Sequence, residues 1–391
     1  MKEQEDKLKE VKKKVRIFRL VMSGVGIWPY ENPTIYYRLL ACLVAFLLLQ
    51  TFCGCINFIV ANSDNLMIML NGMGLSLSIS CVMLKGGSLI YFRKDNIRMN
   101  KKLEELIDKQ MKGPEDVCNV MLEPMVVFAR KIFYLIYCLG FGMVLVQWLR
   151  PTVAMTKQYM HGYNITYRRP FPSVYPWKIE PGSDLWKFHF FVDSITTWFY
   201  FSIGISTDEN FTHQAAQIIG QFSALNYEIS NLKVEDVNND KMKDFVERHQ
   251  DLMDLCQTLG DCNGLIVLVL TLSAAIILCT LSFQCSKMET ITVGELTWLL
   301  TYIFYKLLQI FLFAWSGEII KKKSEELRDN VYGIAWTDKA DPKVNHAVRF
   351  MMHQRPVVLQ ALGIKPISAE LFSGVVNTSM SYFFLLRTIS E

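Results

Sequence analysis

Six stretches of this chain, residues 36–60, 66–92, 126–149, 186–206, 264–285 and 293–319, are apolar over enough length to cross a membrane. The yardstick is a hydrocarbon core of roughly 30 Å, covered at about 1.5 Å per helical residue. A seventh stretch, Ser368 to Arg387, closes the sequence. With 51% hydrophobic residues and 13% aromatic ones, the chain is too apolar and too segmented for an ordinary soluble domain. The expected fold is an all-α membrane protein with seven transmembrane helices.

The seventh stretch is not built as a plain anchor. At about 100° per residue, Gly374, Asn377, Ser381, Leu385 and Thr388 fall on one helical stripe, opposite faces of Val, Phe and Leu. Polar groups at membrane depth face protein or a watery path, so the stripe reads as a pore-facing surface.

Lys and Arg placement sets the expected orientation. The N-terminus is basic from Lys7 to Arg19, whereas the first loop, Ala61 to Asn65, has no basic residue. Basic clusters recur at Arg93 to Lys112 and Lys321 to Arg328. These three segments are expected in the cytoplasm, and seven spans then place the C-terminus outside. The third loop, 150–186, breaks the rule with Arg150, Arg168, Arg169 and others, but long loops translocate largely regardless of charge. It carries the well-placed glycosylation sequon Asn164-Ile165-Thr166. The first twenty residues are too charged for a cleavable signal peptide.

Apolar periodicity continues beyond several spans. Residues 93–125 and 207–262 are expected as cytoplasmic helices, and Asp341 to Gln354 as another, broken at Arg355-Pro356 and Lys365-Pro366. The chain thus divides into 1–319, with the N-terminal helix and six spans; 320–367, cytoplasmic anchor helices; and 368–391, the last span. Loop 150–186, with Pro170, Pro172, Pro176 and Pro181, excludes a long helix and reads either as a lid over a membrane cavity or as a connector.

No phosphate-cradling loop, HExxH, GxSxG or nucleophile and base pair is present, so an enzyme is not expected. The six histidines are scattered, and the ten cysteines form no CxxC or Cys/His ligand cluster; neither a metal nor a cofactor is expected. Intramembrane charge centres on Lys85, Asp193 and Glu295, without the relay of a proton-coupled transporter. What the spans carry toward their expected outer half is aromatic, Met and hydroxyl residues: Met73, Ser76 and Ser80; Tyr137, Phe141 and Val144; Thr196, Phe199 and Ile203; Trp298, Tyr302 and Tyr305. Such a mix suits a small, mostly apolar ligand held by shape and dispersion, and equally suits bundle packing with an aromatic belt.

The run Pro366-Ile-Ser-Ala-Glu-Leu-Phe-Ser-Gly-Val-Val-Asn-Thr-Ser-Met-Ser-Tyr-Phe-Phe-Leu-Leu-Arg387 resembles the last span of insect odorant receptors. Gln309-Ile-Phe-Leu-Phe-Ala-Trp-Ser-Gly317, Val331-Tyr-Gly-Ile-Ala-Trp336 and His353-Gln-Arg-Pro356 add to the resemblance. These motifs occupy the last ninety or so residues, while length, span count, inverted orientation and split seventh helix extend the likeness along nearly the whole chain. Gustatory receptors end in a Thr-Tyr and Gln-Phe pattern; here Ser381-Tyr382 leads to Arg387-Thr388-Ile389 with no Gln-Phe. The coreceptor, Orco, has an extended loop between its fourth and fifth spans that this chain lacks. The sequence is therefore similar to a tuning, odorant-binding subunit.

The resemblance implies a plasma-membrane receptor of olfactory neuron dendrites: a ligand-gated, non-selective cation channel for monovalent and divalent ions, assembled with the coreceptor as a heterotetramer. It implies that the last span lines the pore, with Asn377 and Ser381 on its wall, the gate at Leu385, and Thr388 and Ile389 near the outer mouth. It places the odorant pocket among the second, third, fourth and sixth spans. The rival classes are a gustatory-type channel, a G-protein-coupled receptor, which needs an outside N-terminus, a transporter, which needs inverted repeats, and a ligandless structural subunit.

Overall fold

The computed structural model describes residues 2–287, 293–334 and 341–390. Its helices are α1 (Lys2–Gly24), α2 (Ile35–Ala61), α3 (Leu66–Tyr91), α4 (Arg93–Gln110), α5 (Glu115–Val127), α6 (Phe133–Met160), α7 (Asp184–Ser230), α8 (Asn239–Lys287), α9 (Val293–Tyr332), α10 (Pro342–His353) and α11 (Ala369–Ser390). The seven expected spans fall on α2, α3, α6 with the end of α5, α7, α8, α9 and α11.

Local chemistry explains many of the ends. Thr34, Asn65 and Ser183 cap α2, α3 and α7, each side-chain oxygen accepting from a first-turn backbone N–H. Asp341 caps α10, with Pro342 in its first turn. Gly26, at φ +78°, turns the chain out of α1 with its Cα beside the Ala41 backbone, so a side chain there would collide with α2.

The centre of the bundle is α7, 47 residues long. Every residue from Tyr200 to Asn226 is buried, because α1, α2, α3, α5, α6, α8 and α9 all pack against it. Its apolar members, among them Phe211, Ile218 and Phe222 at 0% exposed, each contribute about 1.5–3 kcal/mol by leaving water. Beyond the expected membrane depth, α4 buries Met99 and Leu103 in the same core and Ile107 in a neighbouring cluster with Met121 of α5, while its other side pairs with α8 through Lys102–Asp251 (2.9 Å) and Lys109–Asp244 (2.8 Å). We call this the anchor end, and the end bearing residues 161–183 the loop end.

One expectation is corrected. Residues 150–160 are helical, not loop, so the irregular segment is 161–183. Pro151 sits inside α6, where it forfeits one backbone hydrogen bond without ending the helix. The helix that carries the third span continues past it toward the anchor end: α5 and α6 run together through a π-helical turn, Phe128–Ile132, that buries Phe128 and Ala129 completely. One further element was not foreseen. Between α10 and α11 the chain makes a hairpin, Gln360–Ala361 paired antiparallel with Lys365–Pro366, turned by Leu362 (φ 54°) and Gly363 (φ 69°). It lies on α8 at Gly264, where a side chain would strike the Leu362 amide nitrogen.

The 161–183 segment folds back onto the bundle. Phe171 is 2% exposed, Val174 N–H donates to the Gly54 carbonyl (3.0 Å), and the Asn57 amide donates to the Val174 carbonyl (3.3 Å). Asn164 is exposed on it.

Candidate functional site

The residues expected to form a pocket meet unequally. Ile203, Trp298, Tyr302 and Tyr305 are buried in one cluster with Ile79, Val82 and Tyr200; Tyr137, Val144 and Phe199 pack against it, half-buried. The Trp298 and Tyr302 rings lie 5.4 Å apart. Thr196 is fully buried, but its hydroxyl donates to Val192 of its own helix (2.9 Å). Ser76 and Ser80 likewise donate to Met73 (3.0 Å) and Leu77 (2.8 Å) carbonyls, and Met73 is half-buried. Phe141 is not brought to the cluster: it is 50% exposed on the bundle surface, edge-on to Trp198.

The hydroxyl that does reach across α3 to α9 is Ser78, 2.6 Å from the Tyr302 hydroxyl. Below it lies a polar floor absent from the sequence reading. Lys85 and Asp208 pair at 2.5 Å with 1% and 2% of their side chains exposed. Gln309 donates to the other Asp208 oxygen (2.7 Å) and to the Tyr305 hydroxyl (3.2 Å). Lys306, 3% exposed, stands 5.8 Å from the Tyr302 ring centre. One sequence signal for this face existed. A lysine inside a span turns toward a protein partner, and stepping back from Lys85 by helical turns gives Val82 and Ser78 rather than Ser80 and Ser76. Gly204 on α7 faces Val82 and the Tyr305 hydroxyl, which a Cβ there would meet in ordinary contact at 3.7 and 3.8 Å.

Two hollows adjoin this core. A chamber of about 590 Å³ lies under the 161–183 segment, between α2, α3, α6 and α9; of the expected pocket residues only Trp298 lines it. A second, about 520 Å³, runs between α5, α7 and α9 past Phe128, Ile219, Trp315 and Lys323.

On α11 the sequence stripe stands clear. Leu371, Val375 and Ser379 are buried where the helix meets α8 and α9, whereas Asn377, Ser381, Leu385 and Thr388 are exposed, Leu385 at 54%. The Ser381 and Thr388 hydroxyls donate back to Asn377 and Phe384 carbonyls, both at 3.0 Å, which softens the polarity of the outward face. Ile389 and Glu295 have side chains outside the described residues. The start of α11 is held by α9: Ala369 N–H donates to Glu318 (3.2 Å), the Phe311 and Phe372 rings are 5.7 Å apart, and Gly317 lets the Ile367 backbone approach where a side chain would collide.

Fold and face together define a multi-pass, seven-helix membrane protein. The family model for the 7tm odorant receptors matches residues 65–380, and the chain belongs to that family. It is similar to odorant receptor 13a of Drosophila melanogaster, 24% identical over 185 residues, 44% of this chain and 43% of that protein. It also resembles the odorant receptor coreceptor of Aedes aegypti, 28% identical over 147 residues, 37% of this chain and 30% of that protein. The matches thus span less than half the length of these relatives. In three dimensions the chain superposes on the insect olfactory receptor OR5 of Machilis hrabei, solved in complex with eugenol, with a TM-score of 0.78 at 13% identity, covering 98% of this chain and 100% of that one. This likeness is one of fold, and the fold is the seven-transmembrane one.

Proposed function

We propose that this chain is the odorant-binding subunit of an odorant-gated, non-selective cation channel assembled with the odorant coreceptor as a heterotetramer. It would reside in the plasma membrane of olfactory neuron dendrites, N-terminus inside and C-terminus outside as the basic loops indicate, with Asn164 on the outer segment as a glycan acceptor. The observation that carries the reading is α11: a membrane helix at the edge of the bundle that turns Asn377, Ser381, Leu385 and Thr388 away from its own subunit. Such a face suits the wall of a shared water-filled path for monovalent and divalent cations better than it suits lipid.

In this reading a small, mostly apolar volatile binds in the cluster around Phe199 and Tyr302. Helix α9 connects the two places, bearing Trp298, Tyr302 and Tyr305 at one level and touching the root of α11 through Phe311 and Gly317 at another. A ligand that prefers the open arrangement of this contact shifts the population toward it, and only by that preference. Leu385, the apolar interruption in the stripe, closes the path by dewetting as this chain's share of one apolar ring to which each of the four subunits contributes a side chain. Recording from cells that express the chain with a coreceptor tests this. Leu385→Asn should give standing current without odorant; odorant-evoked and resting currents unchanged by that substitution remove Leu385 as the gate.

A further inference from the structure

The hollow between α5, α7 and α9 is a trough with two chemically different halves. Its floor is one stripe of α7, Thr212, Ala216, Ile219 and Ser223, spaced by helical turns. At about 520 Å³ it lies within the roughly 300–1,000 Å³ typical of small-molecule sites. The expected spans stop at residue 126 on the α5 and α6 helix and at 319 on α9, and both limits fall within the trough. On the membrane side the walls are Val127, Ile132, Trp315 and Ile319, and Trp315 is 39% exposed, as suits an interfacial aromatic. On the anchor side the charged lining begins, with Glu123 from α5 and Lys323 and Glu326 from α9.

Two cross-helix bonds fix the level at which these charges meet. The Gln221 amide donates to the Met121 sulfur (3.3 Å) and the Asn226 amide to the Lys323 carbonyl (2.9 Å), which sets Ser223 within about one helical turn of Glu123 on one rim and Lys323 on the other. Ser223 is 7% exposed, and its hydroxyl makes no hydrogen bond among the described residues. Thr207 and Thr212 of the same helix, by contrast, each donate to a carbonyl one turn back, at 2.8 and 2.7 Å. Glu123 is exposed and likewise unpaired among the described residues. Lys323 meets Glu326 at 2.7 Å, but with side chains 31% and 46% exposed such a pair holds its lysine weakly.

We propose that the trough holds a phosphatidylethanolamine of the leaflet at the anchor end, its ammonium on Glu123, its phosphate between Lys323 and the Ser223 hydroxyl, and an acyl chain along Val127, Ile219, Trp315 and Ile319. A primary ammonium brings three N–H donors to a carboxylate, whereas a choline head group brings none. Two carboxylates against one lysine favour a head group that keeps a cation and disfavour an anionic one. The inference needs only the membrane fold and stands apart from the channel reading.

The test uses the full-length chain in nanodiscs of dioleoylphosphatidylcholine doped with phospholipids whose acyl chains carry bromine, a short-range quencher of tryptophan fluorescence. Subtracting the Trp315→Phe protein isolates the signal of Trp315. Brominated phosphatidylethanolamine should half-quench that signal at a mole fraction about three- to fivefold lower than brominated phosphatidylcholine does, the worth of one solvated charge pair; brominated phosphatidylglycerol should be the weakest. Glu123→Gln, at an exposed position that leaves the fold in place, should bring the two zwitterionic curves together. Lys323→Gln with Ser223→Ala should move both curves to higher mole fraction by a similar factor, because the phosphate is common to both lipids. Equal curves in the parent protein, a preference unmoved by Glu123→Gln, or strongest quenching by phosphatidylglycerol overturns the site. So does a Trp315 signal that no lipid quenches, the result that a polypeptide covering the trough would give.

Discussion

Removing one partner of the Lys85–Asp208 pair should destabilise this protein far more than removing both. At 2.5 Å and an effective dielectric of about 20, the Coulomb attraction is about 6 to 7 kcal/mol. Withdrawing each ion from water costs several kcal/mol, so the intact pair contributes little net stability. A single substitution cancels the attraction and leaves the other charge stranded, at a cost of about 3–5 kcal/mol, or roughly two to three and a half decades in the folded-to-unfolded ratio. The two singles should also differ. Lys306 is buried within the field of both groups, so Asp208→Asn leaves two cations together while Lys85→Met leaves Asp208 with Gln309 and Lys306. Asp208→Asn is therefore expected to be the worse of the two. The double variant keeps an acceptor for the Gln309 amide and leaves Lys306 as the one remaining cation of the group, where Asp208→Asn alone leaves two, and should regain at least about 2 kcal/mol of the summed loss. The assay is thermal unfolding of the detergent-solubilised chain read by fluorescence-detected size exclusion. An Asp208→Asn protein within about 1 kcal/mol of the parent, or a double variant as unstable as the sum of the singles, would refute the argument.

Tyr302→Phe takes one hydroxyl out of the buried Ser78, Tyr200 and Tyr302 group and should cost about 1 kcal/mol; with Phe199→Ala it should reorder the potency ranking of a volatile panel, whereas Phe141→Ala, on the outer surface, should not. Gly317→Ala drives a methyl group into the Ile367 backbone and should cost about 1–3 kcal/mol in thermal stability while reducing odorant-evoked current; unchanged values for both would show that α9 and the root of α11 do not need to touch. Glu10 accepts from Arg130 at 2.9 and 3.1 Å, which holds its carboxyl below the usual range. The unfolded chain takes up that proton first, so the contribution, about 0.5–1 kcal/mol for a partly exposed pair, is complete above about pH 4.3 and fades as pH falls through the lower folded value. Protease release of α1 on acidification, compared with Glu10→Gln, measures it.

The structure was legible in the sequence where one segment carried its own signal. Asn65 and the following apolar run place α3 within a residue of where it lies, and the α11 stripe needs only helical periodicity. The helix that carries the third span runs beyond residues 126–149 at both ends, and the signals there are ambiguous in isolation. Pro151 reads as a helix stop, and nothing local announces that Phe128–Ile132 closes a π turn. The pocket was harder still, since depth and residue type choose a level in the membrane but not a face. The Lys85 partner lies 123 residues away, past the point where the fourth span was expected to end. Lys306 escaped notice inside an otherwise apolar stretch. Only the folded bundle shows that these charges meet, and their meeting turns α3 so that Ser78, not Ser76 or Ser80, faces α9.

Helix α7 has a consequence for how the protein is made. By length and composition, five helical stretches among the described residues are apolar enough to cross a membrane, and neither α7 nor α11 is one of them. Yet α7 is the post around which the others stand, with Asp193, Asp208, Glu209 and His213 buried along it. A translocon that sorts segments one by one would have weak reason to release such a helix into lipid. Its insertion must lean on α3 and α9, one synthesised well before it and one well after, so the central helix waits in the ribosome's wake for a lysine made earlier and a glutamine made later.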